Sequence, residues 1–559
     1  MNNVRFSIPL SKLSYIPLLL LLVYPILCRY DFSRSTLWYY DFFSMNPNLL
    51  EFVLILTIVT ILTAWKSKDL RFPSLIAIVF VFSIAEVFTN YPMVWRDVYL
   101  HGSAAKGIIE QGHIADTWNA YPQTNPGFFL LSTVFTLVTG LDLIPSNLLI
   151  LLPVAIVLLV VMLVTIYRRL SIGLPYVATL LAFLLMNFNT NEFTFVHFNT
   201  RLLSLVYVLL FLLLFLAKPE RKNVVLLFVV NFALVITHPL NSLVPMAFLT
   251  IYWISERKRS QRGPLLALSC IMFNAAWLIY FSATLLATGF GSFLNLQYAA
   301  STVQGWSPAL ARPMPLFGSF LSTYYKVLVV TLTLISLYAA VKFRKETRIR
   351  ILAVYLLSIA LVYGLSFLSA LKDISVNRGI MAASVSIAAL PIMLFVGAKQ
   401  RARYFGKNWK RYVVIGAVAA LIVPNFIFVH ELPVARYLSV GSIDSTCSFI
   451  LNYRDGRDLV SLGDFPIYYC YYEPFYKDYV NLGFNGWTNL TTIADFMIQS
   501  PNHSLKILDY RKVIDWGAIL GNSNTYSEAL EEWNAEVYER MDSVHNVVYS
   551  NGFETIYER

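Results

Sequence analysis

Long apolar runs recur along most of this chain, and the gaps between them alternate in charge. Runs long enough to cross about 30 Å of hydrocarbon as helices lie at Leu13–Cys28, Leu49–Trp65, Phe72–Asn90, Asn147–Tyr167, Ile172–Phe188, Leu202–Ala217 and Val224–Ile236. Others follow at Leu240–Ile254, Leu265–Thr288, Phe317–Val341, Ile351–Leu371, Gly379–Val396 and Tyr412–Val429, making about thirteen spans. With 57% of its 559 residues hydrophobic and only 13% charged, the chain carries more apolar surface than a soluble fold can hide. A bilayer can take it up.

The charges then set the orientation. KSKDLR (Lys66–Arg71), Arg168-Arg169, KPERK (Lys218–Lys222), ERKRSQR (Glu256–Arg262), KFRKETRIR (Lys342–Arg350) and KQRARYFGKNWKR (Lys399–Arg411) all fall in alternate gaps, hence on one side. Basic loops stay in the cytoplasm, so the N-terminus is expected inside and everything after Val429 outside. This accounts for the net charge of +11 through the membrane, and no nucleic-acid partner is expected. The opening MNNVRFSIPLSKLSYIPLLLLLVYPILC has the basic start and apolar core of a signal peptide. RYDFSRS follows it without a small-residue cleavage site, so it reads as a retained first span.

The expected fold class is an α-helical polytopic membrane protein over residues 1–430, followed by a small extracytoplasmic α/β domain over 431–559. In that tail DLVSLGDFPIYYCYY and SLKILDYRKVID read as strands, and SEALEEWNAEVYERM as a helix opened by Ser527. NVVYSNGFETIY reads as a hairpin. Cys447 and Cys470 both lie there, where an oxidising exterior permits a disulfide without spacing alone deciding it. Asn489 and Asn502 open triplets of the N-glycosylation pattern.

All the long polar loops face outward, and the first large one, residues 91–145, is the most informative. If Val98 opens a helix in WRDVYLHGSAAKGIIEQG, Asp97 and His101 lie one turn apart on one face, with Ala105 and Ile108 below them. A carboxylate so placed can take a proton from a hydroxyl while the imidazole tunes it. The plainer alternative makes Asp97 a helix cap and His101 a surface residue. Span interiors are almost free of ionisable residues, Glu86 and Lys326 being exceptions, and no internal repeat is evident. Ion-coupled carriers usually need ionisable residues at mid-membrane and many are built from internal repeats, so both absences argue against a transporter.

The same loop carries a resemblance. Asp97 just outside an early span, Ala105-Lys106-Gly107-Ile108 through Gly112, Tyr121-Pro122, Pro126-Gly127, and a short apolar helix ending in Thr139-Gly140 resemble the GT-C superfamily. These are integral-membrane glycosyltransferases that use polyprenyl-phosphate-linked sugars, here with an ArnT-like or protein-O-mannosyltransferase-like architecture. The resemblance implies that Asp97 is the catalytic base, supported by His101, and that PGFFLLSTVFTLVTG lies along the membrane. Neither the WWDYG-type motif of oligosaccharyltransferases nor the contiguous DE pair of protein O-mannosyltransferases is present.

In such an enzyme negative charge develops on the departing lipid phosphate, so cations must wait on the outer face. Basic residues are scarce there. Arg201, Arg378, Lys372 and His238, in the break THPLNS, are the candidates for binding lipid phosphate and substrate. Each also has a plain reading: headgroup contact for the three cations, and a hydrogen bond at a helix break for His238.

The implied partners are a polyprenyl-phosphate-linked sugar donor, a glycan, lipid or protein acceptor, and membrane lipids. The implied location is the plasma membrane. No zinc-type motif or P-loop occurs, so no metal ligand and no cofactor is assigned; a divalent cation between Asp97 and the lipid phosphate is left open. The expected reaction is inverting transfer to an acceptor hydroxyl. A surface-polysaccharide polymerase or ligase, or a flippase for lipid-linked sugars, are the alternatives.

Overall fold

The structure is a computed structural model. It describes residues 15–27, 47–66, 69–83, 93–114, 121–188, 198–217, 220–255, 263–280, 317–367, 372–396, 422, 437–453, 457, 459–462, 479–482, 497–498, 504–509, 537, 539–550 and 554–558. Helices occupy the first twelve predicted spans; the last, Tyr412–Val429, lies outside the described residues apart from Ile422.

The chain opens with α1 (Tyr15–Leu27), α2 (Pro47–Lys66) and α3 (Arg71–Val81), then a short strand β1 (Met93–Trp95). The first outer loop supplies α4 (Arg96–Gln111), a single turn (Tyr121–Thr124) and α5 (Gly127–Thr139). The bundle continues with α6 (Leu143–Arg169), α7 (Pro175–Phe188), α8 (Thr200–Phe215), α9 (Arg221–Thr237), α10 (Pro239–Ser255) and α11 (Gly263–Tyr280). It closes with α12 (Phe317–Lys342), α13 (Thr347–Phe367) and α14 (Lys372–Val396).

The helix α6 shows why these runs belong in lipid. It is 27 residues long, about 40 Å at 1.5 Å per residue. Val154, Val157, Leu158 and Val161 form an exposed apolar stripe at helical spacing, while Ala155, Ile156, Leu159 and Leu163 are buried on the other side. A helix apolar on both its packed and its exposed face is at rest only in hydrocarbon. The segment Thr347–Gly364 of α13 also meets the length and hydropathy of a span.

Within the bundle α14 packs against α7, α12 and α13, and α10 packs against α13, α8 and α11. Buried hydroxyls tie these layers together: Tyr167 donates to the Val385 carbonyl at 2.8 Å, and Ser386 to the Leu352 carbonyl at 2.8 Å. In hydrocarbon such groups must find partners inside the protein.

After the bundle come β2 (Tyr437–Ser439), α15 (Val440–Tyr453), β3 (Leu459–Leu462), β4 (Tyr479–Leu482), β5 (Leu505–Asp509), α16 (Glu539–Val544), β6 (Asn546–Ser550) and β7 (Glu554–Glu558). Five of the strands form one sheet in the order β4-β3-β5-β7-β6. β3 runs parallel to β4 and β5, while β7 is antiparallel to β5 and β6. The expected hairpin is β6–β7. Glu558 at its end is held by the Tyr453 hydroxyl and by Arg457, both at 2.7 Å. α15 is an element beyond those expected, and of the helix expected from Ser527 the described part is α16 after Val537. Cys447 is buried in α15; Cys470, Asn489, Asn502 and the loop from Gly289 to Pro315 lie outside the described residues.

Two details of the first outer loop differ from expectation. α4 begins at Arg96 rather than Val98, so Asp97 sits inside the first turn instead of preceding the helix. The reason is β1, which leads directly into the helix and pairs antiparallel with β2, with Trp95 opposite Tyr437 and Met93 opposite Ser439. The tail domain is therefore joined to the chain immediately before Asp97.

Candidate active site

Six helices meet at one end of the bundle: α4, the start of α5, the start of α8, the junction of α9 with α10, and the first turns of α14. Each is placed there by a local feature of its sequence. α8 starts where Asn199 caps it, its side-chain oxygen accepting from the backbone N–H of Arg201 at 3.0 Å and of Leu202 at 2.9 Å. That cap fixes Arg201 as the second residue of the helix, half-buried at its mouth. α9 ends at Thr237 because His238 turns extended before Pro239 opens α10.

His238 is buried in this break. Burial first, then the positive charges of Arg378 and Arg201, holds its imidazole well below the usual histidine range. Both arginines thus act on one ring, although they come from helices far apart in sequence. The backbone N–H of Asn241 donates to His238 Nδ1 at 3.2 Å, so in the neutral ring the proton sits on Nε2.

A buried polar chain runs from the helix of Arg201 through α10 to Tyr363 on α13, which packs against the helix of Arg378. Asn241 Nδ2 donates to Ser204 Oγ at 2.6 Å, and Ser204 Oγ in turn donates to the Arg201 carbonyl at 2.8 Å. On the other side the Tyr363 hydroxyl donates to Asn241 Oδ1. Tyr363 also lies against Gly379, where an added Cβ would come within 2.9 Å of the Tyr363 Cβ. Only glycine allows α13 and α14 to approach that closely next to Arg378.

His101 is half-buried, one turn after Asp97, with Ala105 and Ile108 buried along the same face. Its ring meets Phe128 edge-on at 5.3 Å and Phe129 at 5.7 Å between centroids. Phe128 continues to Phe198 at 5.2 Å, beside the Asn199 cap. Gly127, the glycine of the Pro-Gly pair, presses on the end of α9: a Cβ there would stand 2.6 Å from Thr237 Oγ1. The turn before it is held by Trp277 Nε1, which donates to the Thr124 carbonyl at 2.8 Å. The helix bearing Asp97 and His101 therefore rests, through α5, on the elements bearing Arg201 and His238.

Of the residues singled out in the sequence, Arg201, Arg378 and His238 come together, and His101 joins them through the phenylalanines. Arg378 does not open its helix as expected, because α14 begins at Lys372, six residues earlier. Six residues on an α-helix are about 9 Å and well over a full turn, which puts Lys372 and Arg378 on different faces. Asn241, Ser204 and Tyr363 escaped the sequence reading. Asn199 was legible as a cap at the start of an apolar run. Among the described residues, no three His, Cys, Asp or Glu side chains gather in a metal-binding group.

No protein-family model and no curated protein matches the sequence. Solved structures do match the fold. The Archaeoglobus fulgidus oligosaccharyltransferase in complex with Zn and sulfate aligns with a TM-score of 0.50 at 10% identity, over 87% of this chain and 72% of that one. The archaeal oligosaccharyltransferase AglB from Archaeoglobus fulgidus, with an inhibitory peptide and a dolichol-phosphate, aligns with a TM-score of 0.50 at 12% identity, over 81% and 71%. ArnT from Cupriavidus metallidurans bound to undecaprenyl phosphate covers 89% of this chain and 98% of its own at 10% identity, with a TM-score of 0.46. The fold is that of the GT-C glycosyltransferases.

Proposed function

We propose that this GT-C-fold chain is a membrane glycosyltransferase that moves a sugar from a polyprenyl-phosphate-linked donor to an acceptor hydroxyl on the extracytoplasmic face. The observation that carries the reading is the convergence of Arg378 and Arg201 on His238, at the bundle end where α5 links that group to the helix of Asp97 and His101. A shared fold with an enzyme solved together with a dolichol-phosphate supports a lipid-linked donor.

In this mechanism Asp97 takes the acceptor hydroxyl proton as its oxygen attacks the anomeric carbon. The bond from that carbon to the phosphate oxygen breaks, and the lipid phosphate leaves with the electron pair on the opposite side, inverting the centre. Arg378 and Arg201 receive the growing phosphate charge, and Nε2–H of His238 donates to it. Arginine suits this role because its planar fork donates two parallel hydrogen bonds to phosphate oxygens. The charges are fixed before reaction by the Asn199 cap and the Asn241 network, so little reorganisation is left for the transition state. His101 tunes Asp97 from one turn away.

The test uses the full chain in proteoliposomes with a panel of radiolabelled polyprenyl-phosphate sugars and a membrane glycan fraction as acceptor. Wild type releases polyprenyl phosphate in step with labelled product. Asp97→Asn lowers that rate by about 10²–10⁴-fold, the span of a general base, with an unchanged elution profile. Near-normal turnover by the variant removes Asp97 from the mechanism. Lipid that crosses the bilayer without product points to a flippase, and turnover only with oligosaccharide donors points to a polymerase. Loss of transfer on adding EDTA would show that the reaction needs a divalent cation, which Asp97 could help to hold.

A further inference from the structure

The other end of the bundle holds a cavity that the proposed transfer does not use. It has a volume of about 370 Å³ and lies between α2, α3 and α7, lined by Arg71, Ser74 and Tyr176 together with Leu75, Ile78 and Leu180. Arg71 is half-buried, while Ser74, Leu75, Ile78 and Leu180 are buried. The polar and apolar parts are ordered along the helix: Arg71 to Ile78 is seven residues, roughly 10 Å toward the middle of the membrane.

In sequence the stretches beside the cavity are one-sided in charge: KSKDLR (Lys66–Arg71) and Arg168-Arg169 carry five basic residues against the single carboxylate of Asp69. Arg168 donates to the Tyr176 hydroxyl and lies 5.2 Å from that ring's centroid, which brings a second guanidinium to the cavity wall. Arg169 is turned away, donating to the Leu213 carbonyl at 2.8 Å.

We propose that this cavity binds one anionic glycerophospholipid, its phosphate at Arg71 and one acyl chain along Leu75, Ile78 and Leu180. Basic pockets between membrane helices on the cytoplasmic side select acidic headgroups for this reason. The apolar depth distinguishes a lipid from free phosphate, which would leave Leu75, Ile78 and Leu180 uncovered. The excess positive charge distinguishes an acidic headgroup from a choline one, whose own cation it repels. The site stands apart from the proposed transferase centre and does not depend on it.

The test is native mass spectrometry of the detergent-purified full chain, incubated with equal amounts of phosphatidylglycerol and phosphatidylcholine of matched chains. Wild type retains one phosphatidylglycerol at least five-fold over phosphatidylcholine. Arg71→Gln removes that preference, and Ser74→Leu, which fills the cavity while keeping the charge, removes the bound lipid. Size exclusion reports folding, and if Arg71→Gln fails to fold, Ser74→Leu decides. Equal retention of the two lipids by wild type, wild-type selectivity in Arg71→Gln, unchanged binding in Ser74→Leu, or displacement of lipid by millimolar inorganic phosphate each overturns the proposal.

Discussion

A neutral histidine between two arginines is an acid-sensitive joint. His238 in the fold binds its proton only well below the usual histidine range, whereas in the unfolded chain it protonates near about pH 6.5. Below that pH the unfolded state therefore holds more protons than the native one, and stability falls as pH falls toward the depressed native pKa. His238→Gln removes this sensitivity. Melting temperatures in detergent between about pH 7 and 5.5 should drop less in the variant than in wild type. Tyr363→Phe probes the neighbouring network, since it strips the donor from buried Asn241 Oδ1. Leaving a buried acceptor unpaired costs about 1–3 kcal/mol, so we expect a lower melting temperature. With Arg378 and His238 less firmly placed, KM for the lipid donor should rise several-fold and kcat change less. An effect on stability with no change in KM would make the network structural only. The cations of this site could be read from the sequence because charge is rare on the outer side. Asn241, Ser204 and Tyr363 could not, because an uncharged polar residue in an apolar run looks the same whether it bonds its own helix or a neighbour.

At the scale of elements, α5 and α9 approach each other closely at Gly127. Gly127→Ala puts a methyl 2.6 Å from Thr237 Oγ1 and 3.1 Å from the Ile236 carbonyl. Overpacking of this kind costs about 1–3 kcal/mol, and here it also pushes the Asp97 helix away from His238. We expect transfer to fall more steeply than the melting temperature does, as measured side by side on one preparation. The helices of the apolar runs were legible because water rejects so long an unbroken apolar run and hydrocarbon accepts it. The break at His238 was legible because Pro239 forces one. The β6–β7 hairpin was legible from its alternation around a glycine. α15 was not: VGSIDSTCSFILNY mixes β-branched and small polar residues, which carry no helical signal until Cys447 and Ile450 are buried. β1 and β2 are three residues each and find each other only through the fold.

For the whole molecule, the ribbon of β1 and β2 is what makes bundle and tail a single object next to Asp97. Val94 and Leu438 face each other across it, so their Cα atoms lie within the range that accepts a disulfide. Oxidising Val94→Cys/Leu438→Cys should cross-link the chain, seen as two fragments staying together on a non-reducing gel after cleavage between them. Absence of the cross-link would separate the tail from the first outer loop. Such a join couples any movement of the tail mechanically to the proposed base.

The ribbon also imposes an order on biogenesis. Roughly 340 residues separate Trp95 from Tyr437, and a ribosome adding about 5–20 residues per second needs roughly 20–70 s to make them. Throughout that interval the edge at Met93–Trp95 is without the strand it pairs with in the finished fold. The ribbon can close only when nearly the last quarter of the polypeptide begins to emerge, so a chain cut between Arg378 and Tyr437 would carry the whole set of proposed reactive groups without it.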